Sequence, residues 1–90
     1  MKLFTVIMDY CGGTYISQVH AEDESWVLRK WLEGISDEEL SQWMLKRVVI
    51  SSSFRGSRPK PLSGLSNVWC QSATVDDHLV LINIVLTTPH

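Results

Sequence analysis

Two cysteines (Cys11, Cys70), three histidines (His20, His78, His90) and the pair Asp76-Asp77 are the residues of this 90-residue chain whose types suit covalent or metal chemistry. A cysteine nucleophile needs a base beside it and surroundings that favour the thiolate. Cys70 falls inside an extended stretch between Trp69 and Gln71, Cys11 falls in a turn, and neither has a histidine in a local signature. Both read as small structural hydrophobes. A metal needs three or four ligands at close spacing, and His20, His78, Cys70, Asp76 and Asp77 do not provide it. Asp76-Asp77 reads as a turn, because an aspartate bonds its own backbone there. His90, at the chain end, is expected to be mobile. Gly12-Gly13 lacks the lysine and the following helix of a phosphate loop. The reading assigns no catalytic residue, no metal and no cofactor, and expects a protein that is not an enzyme.

Charge and aromatics point to binding instead. Residues 46–60 hold Lys46, Arg47, Arg55, Arg58 and Lys60 and no acid, with Phe54 among them. Cations with an aromatic offer phosphate pairing and base stacking, so this segment carries the alternative reading, nucleic-acid binding. A solvated loop, or one answering the acids of residues 22–39, has the same composition. The net charge of −2 gives no global field toward nucleic acid or membrane. Of four tryptophans, Trp31 and Trp43 fall on apolar helical stripes and read as core. Trp26 and Trp69 lie off those stripes and suit interface anchors, or the seam between helices and sheet.

The elements that must position these residues follow from periodicity. Leu79–Leu86 is almost wholly apolar, lies between Asp76-Asp77 and Pro89, and predicts a strand at the centre of a sheet. Leu3–Tyr10 and Tyr15–Ala21 alternate and predict a hairpin across Cys11-Gly12-Gly13-Thr14. Asp23 caps a helix with the stripe Val27, Leu28, Trp31, Leu32 and Ile35, which Gly34 helps to end. Ser36 and Glu39 form a capping box for a second helix, with Leu40, Trp43, Met44 and Val48 inward. Val48-Val49-Ile50 fits the end of that helix or a short extended piece. Residues 51–66 read as a loop rich in Ser, Gly and Pro, and Asn67–Thr74 as a third strand. The expectation is one domain over residues 1–90: an α+β two-layer sandwich, ββααββ, with a four-stranded, mainly antiparallel sheet and two helices on one face.

Such a sheet leaves its other face open. That face carries Leu3 and Ile7 from the first strand and Leu79, Leu81 and Val85 from the last, with few polar residues. A one-sided antiparallel sheet normally shows polar residues there. The face is therefore expected to be covered, by a second copy in a homodimer, by another protein, or by residues 48–65 folding back.

The opening hairpin and helix, Phe4–Leu32, resembles the start of HicB-type antitoxins, through Gly12-Gly13-Thr14-Tyr15-Ile16 and Ala21-Glu22-Asp23 before Trp26–Trp31. The Pro-x-x-x-Gly-Cys stretch between strand and helix in that family is missing, as is a following DNA-binding domain. Asn67-Val68-Trp69-Cys70 with Leu79–Ile84 is similar to segments of small bacterial proteins with no assigned activity. No functional residue is carried over from either. The apolar run of Met1–Tyr10 is short for a signal peptide and ends in Asp9, no segment has transmembrane length, and two cysteines make no disulfide framework, so the expected compartment is the cytoplasm. The function expected is a small non-enzymatic protein-binding module, antitoxin- or immunity-like. Its partner-binding set is Leu3, Ile7, Trp26, Trp69, Leu79, Leu81 and Val85.

Overall fold

The computed structural model describes Met1–Thr87; Pro89 and His90, singled out above, lie outside the described residues. Among the described residues the chain forms β1 (Lys2–Tyr10), β2 (Gly13–Ala21), a 3-10 turn (Glu24–Trp26), α1 (Val27–Gly34), α2 (Asp37–Gln42), α3 (Arg47–Ser53), β3 (Lys60–Pro61), β4 (Val68–Val75) and β5 (His78–Leu86). The strands make one antiparallel sheet in the order β2-β1-β5-β4-β3. The architecture is α+β as expected, and the apolar strand β5 lies centrally between β1 and β4. The detail differs: five strands stand where four were expected, and three α-helices where two were expected.

Both hairpins close with two-residue turns in which each residue has positive φ. Cys11 (+49°) and Gly12 (+79°) join β1 to β2, and Asp76 (+51°) and Asp77 (+65°) join β4 to β5. Two left-handed residues give the twist that matches paired strands, and aspartate tolerates that region. Gly13 serves a different need. A Cβ there would collide with the Tyr15 hydroxyl, so its hydrogen leaves room for that ring.

The core fills the space between the sheet and the helices. Phe4, Val6, Met8 and Tyr10 of β1 and Val80, Ile82 and Ile84 of β5 are buried, since alternate residues of a strand share a face. Val27, Trp31 and Leu32 of α1 and Ile35 after it bury against them. The Ser36 hydroxyl accepts from the Glu39 amide at 3.1 Å and opens α2.

The second helix departs from expectation after Gln42. Met44 turns left-handed (φ +60°), the Leu45 amide donates to the Leu40 carbonyl at 2.9 Å, and the Met44 amide donates to the Ser41 carbonyl at 3.0 Å. These are the two bonds of a Schellman ending, and its usual apolar contact is supplied by Leu40 and Leu45, both buried. Met44 and Val48, expected inward, are consequently exposed, and Leu45 takes the inner place.

Residues 47–53, where Val48-Val49-Ile50 fitted a helix end or a short extended piece and residues 51–53 a loop, are α3. Ser and β-branched residues are mediocre helix formers. Packing overrides that preference, because Ile50 and Phe54 sit four apart on one side and both bury in the core. The Gln71 amide nitrogen donates to the Ser57 carbonyl at 3.1 Å and ties the segment to the inner face of β4. Residues 48–57 therefore pack with the helices and do not cover the opposite face. Beyond them, Lys60 and Pro61 add the short edge strand β3.

Candidate functional site

The face of the sheet opposite the helices is the principal feature left open. Ile7 lies opposite Ile16 of β2 on one side and Asn83 of β5 on the other. Leu81 and Val85, two residues either side of Asn83, flank Ile7 diagonally, within reach of long side chains. Val85 in turn faces Val68 of β4. An apolar stripe thus crosses four strands, with Leu3 near one end and Leu79, 60% exposed, near the other. Beside it the Gln18 amide nitrogen donates to the Thr5 hydroxyl at 3.2 Å, and the Thr5 and Thr87 hydroxyls bond each other at 2.6 Å. The Thr14 hydroxyl donates to the Asp9 carboxylate at 2.6 Å. The strands span roughly 500 Å² here, from ~4.8 Å between strands and ~3.3 Å per residue.

Five of the seven residues expected to bind a partner, Leu3, Ile7, Leu79, Leu81 and Val85, share this face. The two tryptophans do not. Trp69 is half-buried on the helix side, edge-on to Phe4 with ring centres 6.1 Å apart. Trp26, 42% exposed, ends the 3-10 turn and precedes α1, with the Arg29 guanidinium 5.3 Å over its ring. Ile16 and Val68 belong to the stripe and were missed. Their signal lies in the hairpin turns: a two-residue turn at Cys11-Gly12 sets Ile7 opposite Ile16, and one at Asp76-Asp77 sets Val85 opposite Val68.

The basic residues do not form one surface. Arg47 is held within the fold: its Nε donates to the Asp37 carboxylate at 3.0 Å and its Nη2 to the Ile35 carbonyl. Lys46 shares a cleft with Asp37 and Glu38. Arg58 and Lys60 line another cleft with Cys70 and Ser72, and Arg55 is exposed nearby in sequence. Phe54, the expected stacking partner, is buried.

Neither cysteine is in a disulfide; Cys11 is exposed in its turn, and Cys70 lies half-buried between Asn83 and Lys60. Among the described residues no three His, Cys, Asp or Glu side chains converge as a metal site would require. Two ionisable groups are displaced from their ordinary values. Burial pushes the Tyr10 hydroxyl up, reinforced by the adjacent Cys11 and by the Asp76 charge. Hydrogen bonds from the Ser25 hydroxyl and amide hold the Asp23 carboxyl down. Gln71 is the buried polar residue of the core, and its Oε1 has no partner among the described residues.

The helix side also has a cleft of about 380 Å³, beside the free edge of β2. Tyr15 stacks on Trp43 with centres 4.4 Å apart, and Trp43 lies nearly parallel to Trp31 at 6.4 Å. Trp31, Ile35 and Glu39 complete much of its wall. No helix among the described residues is long and apolar enough to cross a membrane. Comparison with protein-family models, curated proteins and solved structures gave no match to this chain.

Proposed function

We propose that this chain is a small non-enzymatic protein-binding module that works by occupying a partner protein's surface, as antitoxins and immunity proteins do. The observation that supports it is the apolar stripe Ile16, Ile7, Leu81, Val85 and Val68 on a sheet face that no described element covers. Contiguous apolar area of this kind marks interaction sites on small proteins. The ionisable groups of the face are Asp9, bonded by Thr14 and opposite Leu81, Cys70 opposite Asn83, and His20 and Lys60 on outer strands. The matching partner surface is therefore largely apolar, with a polar group for Asn83 toward its centre and a polar rim for Gln18 and Thr5. Covering about 500 Å² on each side gives roughly 1,000 Å² in total, the lower bound for a specific interface.

The test is capture from native lysate under gentle salt, wild type against Leu81→Lys. Leu81 stands opposite Asp9. An aspartate at 81 would face that carboxylate and destabilise the sheet, whereas a lysine pairs with it. The module therefore stays folded while a charge enters the centre of the stripe. A stoichiometric protein recovered with wild type and lost with Leu81→Lys, at equal thermal stability, is the expected result. Recovery of no stoichiometric protein, or equal recovery with both, counts against the reading.

A further inference from the structure

The two edges of the sheet are treated very differently by the sequence. At one end β3 is two residues long, is Lys60-Pro61, and follows Arg58-Pro59. Short length, proline and cations are the usual means by which an edge avoids pairing with another chain. At the other end β2 runs nine residues, Gly13–Ala21, with neither a proline nor an Asp, Glu, Lys or Arg. It is straight in register along the whole of β1, with no bulge.

The turn fixes which amides this edge presents. Across a two-residue hairpin loop Tyr10 and Gly13 exchange both backbone hydrogen bonds, and the pattern alternates from there. Gly13, Tyr15, Ser17, Val19 and Ala21 therefore turn their amides toward β1. Thr14, Ile16, Gln18 and His20 turn theirs outward. The other side of β1 agrees, since the Leu3 carbonyl accepts from the Thr87 amide on the β5 side at 2.8 Å.

We propose that β2 pairs antiparallel with β2 of a second copy, about a two-fold axis at Ser17, to give a dimer with one continuous ten-stranded sheet. In this register Ile16 faces the partner's Gln18, Thr14 faces the partner's His20, and both pairs recur by symmetry. Every outward amide and carbonyl of the four residues finds a mate, about eight backbone hydrogen bonds. No like charges meet along the strands. On the helix side Tyr15 faces the partner's Val19, which closes the mouth of the 380 Å³ cleft that Tyr15, Trp31 and Trp43 line. The edges left at the two ends of the dimer are the Pro-guarded β3 edges, so assembly stops at two copies. The pairing uses the backbone edge of β2, whereas the open face offers side chains; Ile16 and Gln18 belong to both, and Ser17, on the helix side, belongs to the edge alone.

The mass in solution is the first readout. Light scattering at tens of micromolar should give twice the 10.3 kDa of one chain. Ser17→Lys sets lysine against lysine at the axis, on the helix side and outside the apolar stripe, so it should give a folded monomer with unchanged far-ultraviolet circular dichroism. If that variant does not fold, Gln18→Pro takes its place, because it removes an outward amide and leaves the β1 ladder and the apolar stripe intact. Ser17→Cys in a Cys11→Ser background supplies the register: two such residues meet as a non-hydrogen-bonded pair with Cα atoms ~4.5 Å apart, inside disulfide range. Copper phenanthroline and oxygen should then link the dimer covalently, and Gln18→Cys in the same background should link poorly. A 10.3 kDa species up to several hundred micromolar overturns the proposal. So does a dimer that survives the edge variants, fails to cross-link at position 17 and dissociates with Leu81→Lys, or an open-ended polymer.

Discussion

Met44 offers a test of how the helical layer is built, because one backbone angle sets where Trp43 and Leu45 stand. Its φ is +60°, and its side chain is 74% exposed. An L-residue held left-handed costs about 1–2 kcal/mol relative to the right-handed region. Glycine escapes that cost but brings more unfolded-state freedom, worth about 0.5–1 kcal/mol. Almost no buried area is lost with so exposed a side chain. Met44→Gly should therefore stabilise the protein by about 0.5–1 kcal/mol, which in a domain of this size raises Tm by about 2–8 °C. Met44→Val should move the other way, since a β-branched residue is a poor fit to positive φ. Urea unfolding followed by tryptophan fluorescence measures both, with an unchanged denaturant slope as the sign that only the folded state's strain changed. A Met44→Gly protein less stable than wild type, or a Met44→Val protein equal to it, would refute the assignment of the Schellman ending. It would also undercut the placement of Trp43 beside Tyr15 and of Leu45 in the core, which that ending produces.

Two further outcomes follow from named groups. Tyr10 has its hydroxyl pushed above the ordinary value of 10.0 by burial, so the unfolded chain releases that proton first. Its contribution is complete below pH ~10 and is lost as pH climbs through the raised folded value; alkaline urea titrations of wild type and Tyr10→Phe should diverge above pH ~10, with the phenylalanine variant losing less, and parallel curves would contradict it. Arg47 ties the start of α3 to the loop after α1 through Asp37 and the Ile35 carbonyl. Arg47→Ala should cost about 1–2 kcal/mol and Asp37→Asn less than about 1 kcal/mol, because the carbonyl bond is the better shielded of the two while the carboxylate is exposed; equal losses in thermal melts would place the effect in the ion pair instead.

Much of the fold is legible in the residues themselves. Alternation reveals β1 and β2, the nearly unbroken apolar run reveals β5, and the two turns reveal both hairpins, because Gly and Asp at left-handed positions leave a strong local mark. The stripe of α1 and the Ser36 cap of α2 are equally local. What escaped is decided by tertiary contact. Nothing in Val48-Val49-Ile50-Ser51-Ser52-Ser53 favours a helix locally; burial of Ile50 and Phe54 against the sheet makes it one. Met44 looks inward by periodicity and is outside, because the helix ends one turn earlier than its apolar spacing suggests. β3 hides in Pro59-Lys60-Pro61, where strand propensity is lowest and only an edge position tolerates it. The open face was half legible: its two apolar strands are visible from alternation, while Ile16 and Val68 join it only once the register of each hairpin is followed.

The packing of α3 also weighs the two binding readings against each other. The nucleic-acid reading needs several cations and an aromatic on one accessible surface. Phe54 is in the core, Arg47 is spent on Asp37 and the Ile35 carbonyl, and Lys46 shares its cleft with two carboxylates. Arg55, Arg58 and Lys60 are what remains of the basic segment. Three phosphate contacts correspond to a salt slope of about −3 and to weak, sequence-independent association without a stacking ring to add to it. The open face loses nothing to the packing. The helices that bury Phe54 and engage Arg47 all lie on one side of the sheet, and that arrangement leaves Ile7, Leu81 and Val85 uncovered on the other. The same contacts that subtract from the basic segment define the apolar surface, and the protein-binding reading is the one the fold favours.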